Sequence, residues 1–299
     1  MNYRIDYPIH FDCNLQCFYC FHVDYFNCNH PFENGQKECK FTIDDYKRFR
    51  DTHLTDANRI ILNMHGGETF FGPNVELVNS IMMSLRDDKE EFDLLSNGMC
   101  NMKDYEVILK THANKIWRIG FTYHRKVLNE AQTQIFENNV KQIAEWLPGK
   151  VYVKELLRIE DKLSIIQNKF KWCSRRIPFK IQDYKGDDKG ANYTEYEKYG
   201  PTDRMLIDTE YKHPLDRPCS CMKNMRTFGI RGYDDWSGDV VACWVDPCVI
   251  GNIQENWFHP NYTVCRMEDG SGQRDVRGVE KIYRGTFDRD RPLGEACKH

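Results

Sequence analysis

An α/β fold built on a parallel sheet, open or curled as a partial barrel with helices outside, is predicted by three observations. Apolar, β-branched-rich runs alternate about six times with segments of helical periodicity. Four short motifs, a cysteine loop, HGGE, SNG and TYH, each follow one of the first four runs, at the strand ends where parallel sheets place their chemistry. The 299 residues suffice for one large α/β domain, alone or with a small appendage.

Taken in order, the strand-like runs are YRIDYPIHF (3–11), RIILNMHGG (59–67), FDLLSNG (92–98), KIWRIGFTYH (115–124), VYVKELLRI (151–159) and PFKIQDY (178–184). Between them the helical patterns cover 42–54, 74–88, 103–113, 129–147 and 162–172. Thr42 and Asn74 read as N-caps of the first two helices, because their short side chains can accept a hydrogen bond from the first turn. Beyond residue 187 the alternation stops: GDDKGANYTEYEKYGPTDR is polar and turn-rich, as a linker or active-site loop is. A Cys-rich stretch follows from Cys219 to Cys265, then a Gly-, Arg- and Asp-rich tail from Arg266 to His299 with few apolar residues.

Composition excludes several classes. Apolar residues make up 40% and mean hydropathy is −0.69, and no apolar run approaches the roughly 20 residues of a membrane span. Net charge is −3 with both signs interspersed, which sets up no field for nucleic acid or membrane. The N-terminus has neither signal-peptide nor transit-peptide character, so the expectation is a cytoplasmic protein. Thirteen cysteines, an odd number, fit metal ligation in a reducing compartment better than a disulfide framework. Lone residues such as Cys100 and Cys173 need no such role.

DCNLQCFYCF places Cys13, Cys17 and Cys20 in one loop, spaced C-x3-C-x2-C with Tyr19 before the last. Three thiolates so close can ligate three irons of a cubane and leave the fourth iron open; a zinc half-site is the competing reading and would need a fourth ligand. Gly66-Gly67-Glu68 follows the second strand, Ser96-Asn97 the third, and His124 the fourth. Together these resemble the radical S-adenosylmethionine (radical SAM) superfamily. The resemblance implies a partial (β/α)6 TIM-like barrel carrying a [4Fe-4S] cluster and S-adenosylmethionine. It assigns cluster ligation to Cys13, Cys17 and Cys20, recognition of the cofactor's amino group to the Gly66-Gly67-Glu68 turn, ribose contact to Ser96 and Asn97, and adenine packing to Tyr19. His124 matches a family S-x-H-P-E stretch in part, since Arg125 stands where the proline would be, and is the candidate catalytic side chain. Lys154 and Arg158, on the fifth strand, are candidates for the cofactor carboxylate.

The second cysteine group, PCSCMKNMRTFGIRGYDDWSGDVVACWVDPCVIGNI, with Gly238-x4-Cys243, resembles the SPASM or twitch extensions, in which a β-hairpin and following helix hold an auxiliary iron-sulfur cluster. Cys219 or Cys221, Cys243 and Cys265 are its implied ligands, with Cys248 or Cys297 as fourth; a zinc knuckle is the alternative. The organisation expected is a core over 1–186, a linker or active-site loop over 187–218, the auxiliary region over 219–265 and a polar tail over 266–299. The insertion 22–40, with Cys28, Cys39, His22 and His30, is expected to shape access to the site.

The resemblance further implies reductive cleavage of S-adenosylmethionine and hydrogen abstraction from substrate, with an auxiliary cluster favouring net oxidation, either dehydrogenation or peptide crosslinking. Rearrangement of a modified nucleoside or amino acid is the alternative within the family, and a non-catalytic zinc-binding interaction protein the alternative outside it. The partners expected are a small-molecule or peptide substrate and an electron donor of flavodoxin or ferredoxin type, with no membrane or nucleic acid. Only a dozen residues precede Cys13, which leans toward a small molecule or a substrate delivered by another protein.

Overall fold

The computed structural model describes residues 1–15, 17, 41–86, 88–157, 162–183, 226–230, 238–241 and 249–258. Six parallel strands form its centre: β1 (Asn2–Pro8), β2 (Arg59–His65), β3 (Glu90–Ser96), β4 (Ile116–Tyr123), β5 (Val151–Leu157) and β6 (Phe179–Asp183). They are joined by α1 (Ile43–His53), α2 (Pro73–Ser84), α3 (Met102–Leu109), α4 (Glu130–Trp146) and α5 (Lys162–Cys173). All six strands and all five helices fall where the sequence periodicity predicts them, and the result is the partial TIM-like barrel.

One face of the sheet is apolar and covered. Tyr3, Ile5 and Tyr7 of β1, Leu62 and Met64 of β2, Phe92 and Leu94 of β3, and Ile119 and Phe121 of β4 share a core with Tyr46 and Phe49 of α1, Ile108 of α3 and Phe136 and Val140 of α4. The alternate residues Arg4, Asp6, Arg118 and Thr122 are only partly covered, so the period of two sorts apolar from polar across the two faces. Thr42 closes a capping box with Asp45 at the start of α1, as its position in the sequence predicts, and Asn129 does the same with Gln132 for α4. Asn74 does not cap α2. The cap residue is Gly72, which makes no side-chain cap bond, and Pro73 opens the helix; Asn74 is drawn inward because three carbonyls lie beneath it.

The described C-terminal strands extend the same sheet. β7 (Arg226–Ile230) pairs in parallel with β1 on the edge away from β2, and β8 (Asp239–Val241), β9 (Val249–Asn252) and β10 (Trp257–Phe258) follow antiparallel, giving the order β10-β9-β8-β7-β1-β2-β3-β4-β5-β6. Phe228 and Phe258 pack on Phe49 of α1 at centroid distances of 6.4 and 5.3 Å. Polar bonds fasten the turn before β10 to the same helix: Arg48 Nη2 donates to the Gln254 carbonyl at 3.0 Å, and His53 Nε2 lies 2.9 Å from the Asn256 carbonyl. The resemblance to SPASM or twitch extensions implies a hairpin in this region; its attachment to β1 is a finding. The cysteines assigned to it, Cys219, Cys221, Cys243, Cys248, Cys265 and Cys297, lie outside the described residues, as do the linker 187–218, the tail 266–299 and the implied helix. Among the described residues no helix is long and apolar enough to cross a membrane.

Candidate active site at the carboxyl ends of the strands

The loop after β1 and the turn after β2 are stitched together. Gly67 N donates to the His10 carbonyl at 3.0 Å and Glu68 N to the Asp12 carbonyl at 2.8 Å, immediately before Cys13. The backbones approach so closely at Gly67 that a Cβ there would lie 2.1 Å from the Asp12 oxygen and 2.5 Å from the Phe11 carbonyl carbon. The glycine of the HGGE motif is thus required by the cysteine loop itself. Asn74 completes the joint, its Nδ2 reaching the carbonyls of His10, Asp12 and Glu68 at 3.0, 3.3 and 3.0 Å.

Glu68 ties this joint to β3. Its carboxylate is 2% exposed and accepts from Asn97 N at 2.6 Å and Phe70 N at 3.2 Å. Burial pushes the carboxyl up to about 7, with the hydrogen bonds from Asn97, Ser96 and Phe70 opposing. The stability this group contributes is therefore complete below pH 4.5, the ordinary carboxyl value, and is lost as pH rises through about 7, a change of roughly 3 kcal/mol. In urea unfolding of the full chain between these limits, Glu68→Gln is therefore expected to flatten the pH slope of the midpoint. Equal slopes for variant and wild type would contradict the buried-carboxyl assignment.

Asn97, just past β3, faces the cysteine loop. Its Nδ2 donates to Asn14 Oδ1 at 2.7 Å and lies 3.7 Å from Cys13 Sγ, and Leu15 N approaches the same sulfur at 3.4 Å. Ser96 is buried and turned the other way, bonded to the Tyr105 hydroxyl at 2.9 Å and accepting from Gly98 N at 3.0 Å. The SNG turn is also held from α4, where Asn139 Nδ2 donates to the carbonyls of Gly98 and Cys100. Burial pushes the Cys100 thiol up, which keeps it a neutral packing group.

From β4, His124 brings its Nδ1 to 3.7 Å from Cys17 Sγ. Burial, and then the charge of Lys154 on β5, lower its pKa to about 4, so the imidazole is neutral at physiological pH. Arg125 leaves this mouth, its Nε donating to Glu155 at 2.8 Å.

Cys13, Cys17, Glu68, Asn97, His124 and Lys154 are thus brought to one end of the sheet, while Gly66 and Gly67 form the joint beneath and Ser96 supports from the core side. Tyr19, Cys20 and Arg158 lie outside the described residues, as does the insertion 22–40. Among the described residues no group of three metal-binding side chains is gathered, since only two of the loop's three cysteines are described. Those two fit a metal cluster: both are thiols rather than disulfides, and the N–H groups directed at Cys13 Sγ from Leu15 and Asn97 suit a thiolate. Sequence reasoning missed Asn14 and Asn139. Asn139 was detectable as a polar residue on the buried stripe of α4 beside Phe136, Val140 and Ile143; Asn14 gives no such signal.

No family profile matches the chain, and no curated protein matches it. Solved structures do. Native anSMEcpe with bound AdoMet aligns at a TM-score of 0.56 and 14% identity, covering 84% of this chain and 78% of that one. Native anSMEcpe with AdoMet and the Cp18Cys peptide aligns at 0.54 and 16%, with the same coverage. His-tagged anSMEcpe with AdoMet aligns at 0.53 and 14%, covering 85% and 75%. The chain shares the TIM-like fold of anSMEcpe, a SPASM-domain radical SAM enzyme.

Proposed function

We propose that this chain is a radical SAM enzyme that cleaves AdoMet reductively and abstracts hydrogen from its substrate in a net oxidation. The observation that carries this reading is the meeting of Cys13 and Cys17 with Asn97 and His124 at the mouth of a fold shared with an AdoMet-binding protein. A [4Fe-4S] cluster on Cys13, Cys17 and Cys20 would supply the electron that splits AdoMet into methionine and a 5'-deoxyadenosyl radical.

The chain's own residues prepare that site. The Asn97 amide and the Leu15 N–H direct partial positive charge at Cys13 Sγ, favouring the thiolate and fixing its aim. Neutral His124 offers Cys17 an imidazole nitrogen without adding a cation. Glu68 anchors the Asn97 turn and is the acid we assign to the AdoMet ammonium, with Gly66 and Gly67 giving backbone access. Lys154, whose charge is felt by His124, is assigned to the AdoMet carboxylate together with Arg158. Ser96 stands behind the ribose-facing turn, and Tyr19 packs near the adenine.

The division into a core over 1–186, a linker over 187–218, an auxiliary region over 219–265 and a tail over 266–299 belongs to the same proposal. So does an auxiliary cluster, which Cys219 or Cys221, Cys243, Cys265 and Cys248 or Cys297 would hold and which would take up the electron a substrate radical loses on oxidation. The substrate is a small molecule or a peptide, and the peptide complex of anSMEcpe supports the second. A flavodoxin- or ferredoxin-type donor would supply electrons in the cytoplasm.

Anaerobic purification with iron and sulfide reconstitution tests this reading. The expected result is about eight irons per chain, as two cubanes require, and 5'-deoxyadenosine on reduction with AdoMet. About four irons with deoxyadenosine would keep the radical reaction and remove the auxiliary cluster. Bound zinc without deoxyadenosine would overturn the assignment.

A further inference from the structure

On the face of the sheet opposite the helices Lys154 is assigned to AdoMet, and the remaining charge, Arg118 and Lys180 among it, has no part in that chemistry. On β4 through β6 this face presents Arg118, Gly120, Thr122, Tyr152, Lys154 and Lys180, as the parallel register Gly120–Tyr152, Thr122–Lys154, Lys154–Lys180 requires. Gly120 leaves room that Tyr152 takes: a Cβ at 120 would lie 2.3 Å from the Tyr152 Cζ and 2.4 Å from its hydroxyl oxygen. The phenol ring therefore lies against Gly120 of β4 and is buried there. Lys180 Nζ stands 4.2 Å from the ring centre and Arg118 Cζ 5.3 Å from it.

Among the described residues the positive charge around this ring exceeds the negative. Arg118 donates from Nε and Nη2 to Asp93 at 3.0 and 2.6 Å, and Arg4 Nη2 meets the same carboxylate at 3.0 Å. Asp93 is fully buried, so one carboxylate faces Arg4, Arg118 and Lys180. Among the described strands the other acids on this face have partners of their own: Asp6 accepts from Asn63 at 2.7 Å, Glu91 is paired with Arg59, and Asp239 accepts from Asn252 at 2.9 Å. Glu155 faces the helices, where Arg125 and Asn168 bind it. Burial and then the charge of Arg118 lower the Lys180 ammonium, with Asp93 offsetting only part of this, as expected of a cation in a site short of anions.

We propose that Lys180 and Arg118, on the strands that flank Tyr152, bind an anionic group of the substrate, a carboxylate or a phosphate, with Lys180 pairing to it and Arg118 held in place by Asp93. The inference rests on the radical SAM reading only in taking this anion to be part of the substrate. Lys180 is exposed, and Arg118 is set in place by Asp93 before any ligand arrives, which lowers the ordering cost of binding.

Calorimetric titration of the reconstituted full chain with inorganic phosphate, and separately with acetate, at constant ionic strength set by sodium chloride, tests the site. Saturable binding of at least one anion is expected, and the arm that binds tells phosphate from carboxylate. Lys180→Gln should weaken binding about fivefold, a partly exposed charge-assisted bond being lost. Lys180→Arg should restore it, and Lys103→Gln, a change to an exposed lysine on α3, should leave it as in wild type. The absence of saturable binding by either anion, or equal affinity in the Lys180→Gln and Lys103→Gln variants, overturns the proposal. Deoxyadenosine formation by the wild-type preparation separates the two ideas. Anion binding without deoxyadenosine supports the anion site at Lys180 and removes the radical reading, whereas deoxyadenosine without anion binding does the reverse.

Discussion

Replacing Cys17 with alanine should strip the chain of its core iron and reduce 5'-deoxyadenosine formation by more than about a hundredfold, the upper end of what losing a supporting contact to a metal ligand costs. A ligand should cost more than its support, because a cubane held at two corners has lost a bond and gained a second open iron. The position of Cys17 makes it a sensitive choice: its sulfur is half-buried beside the neutral imidazole of His124, whereas Cys13 is exposed. Iron per chain, visible absorption and deoxyadenosine are read on the same sample. Cys173→Ala, an exposed cysteine at the end of α5, should match wild type in all three. If Cys17→Ala kept full iron and turnover, the cysteine loop would not be the cluster site.

Gly67→Ala is expected to be the most damaging single-methyl change in the described chain. The added carbon would fall 2.1 Å from the Asp12 carbonyl oxygen, and the obstacle is backbone on both sides, so no rotamer relieves it. Relief requires the ends of β1 and β2 to separate, which breaks the Gly67–His10 and Glu68–Asp12 bonds and pulls Asn74 from its three carbonyls. The stability cost should be about 3 kcal/mol or more, seen as a lower urea midpoint. Because Cys13 follows Asp12 directly, iron content should fall as well. Gly149→Ala is the matched control: its φ of 77° carries backbone strain, but no atom lies within 4 Å of the new methyl, so about 1–2 kcal/mol is expected and iron should be retained. An unchanged midpoint for Gly67→Ala would mean that the two loops do not meet as described.

These two expectations draw on different kinds of information. The role proposed for Cys17 is read from ten residues of sequence, because the spacing of cysteines is a local property. The importance of Gly67 is legible only in part. The HGGE motif suggests a backbone that approaches a ligand closely, and the fold shows that the first thing it approaches is the end of β1. Asn74 makes the same point, since its short polar side chain after a turn reads as a helix cap until the carbonyls of His10, Asp12 and Glu68 are seen beneath it.

The sequence alone determined the order and type of the central elements, the capping of α1, and the gathering of its motifs at one end of a parallel sheet. These follow from periodicity and short-range hydrogen bonding, which act within a few residues. Tertiary structure alone decided that β7 pairs with β1, that Glu68 accepts from the Asn97 turn, and that Arg4 and Arg118 converge on Asp93 beside Tyr152. Each of these contacts joins residues far apart in the chain. Their partners are set by sheet order and register, which depend on burying the whole apolar face at once rather than on any local pattern.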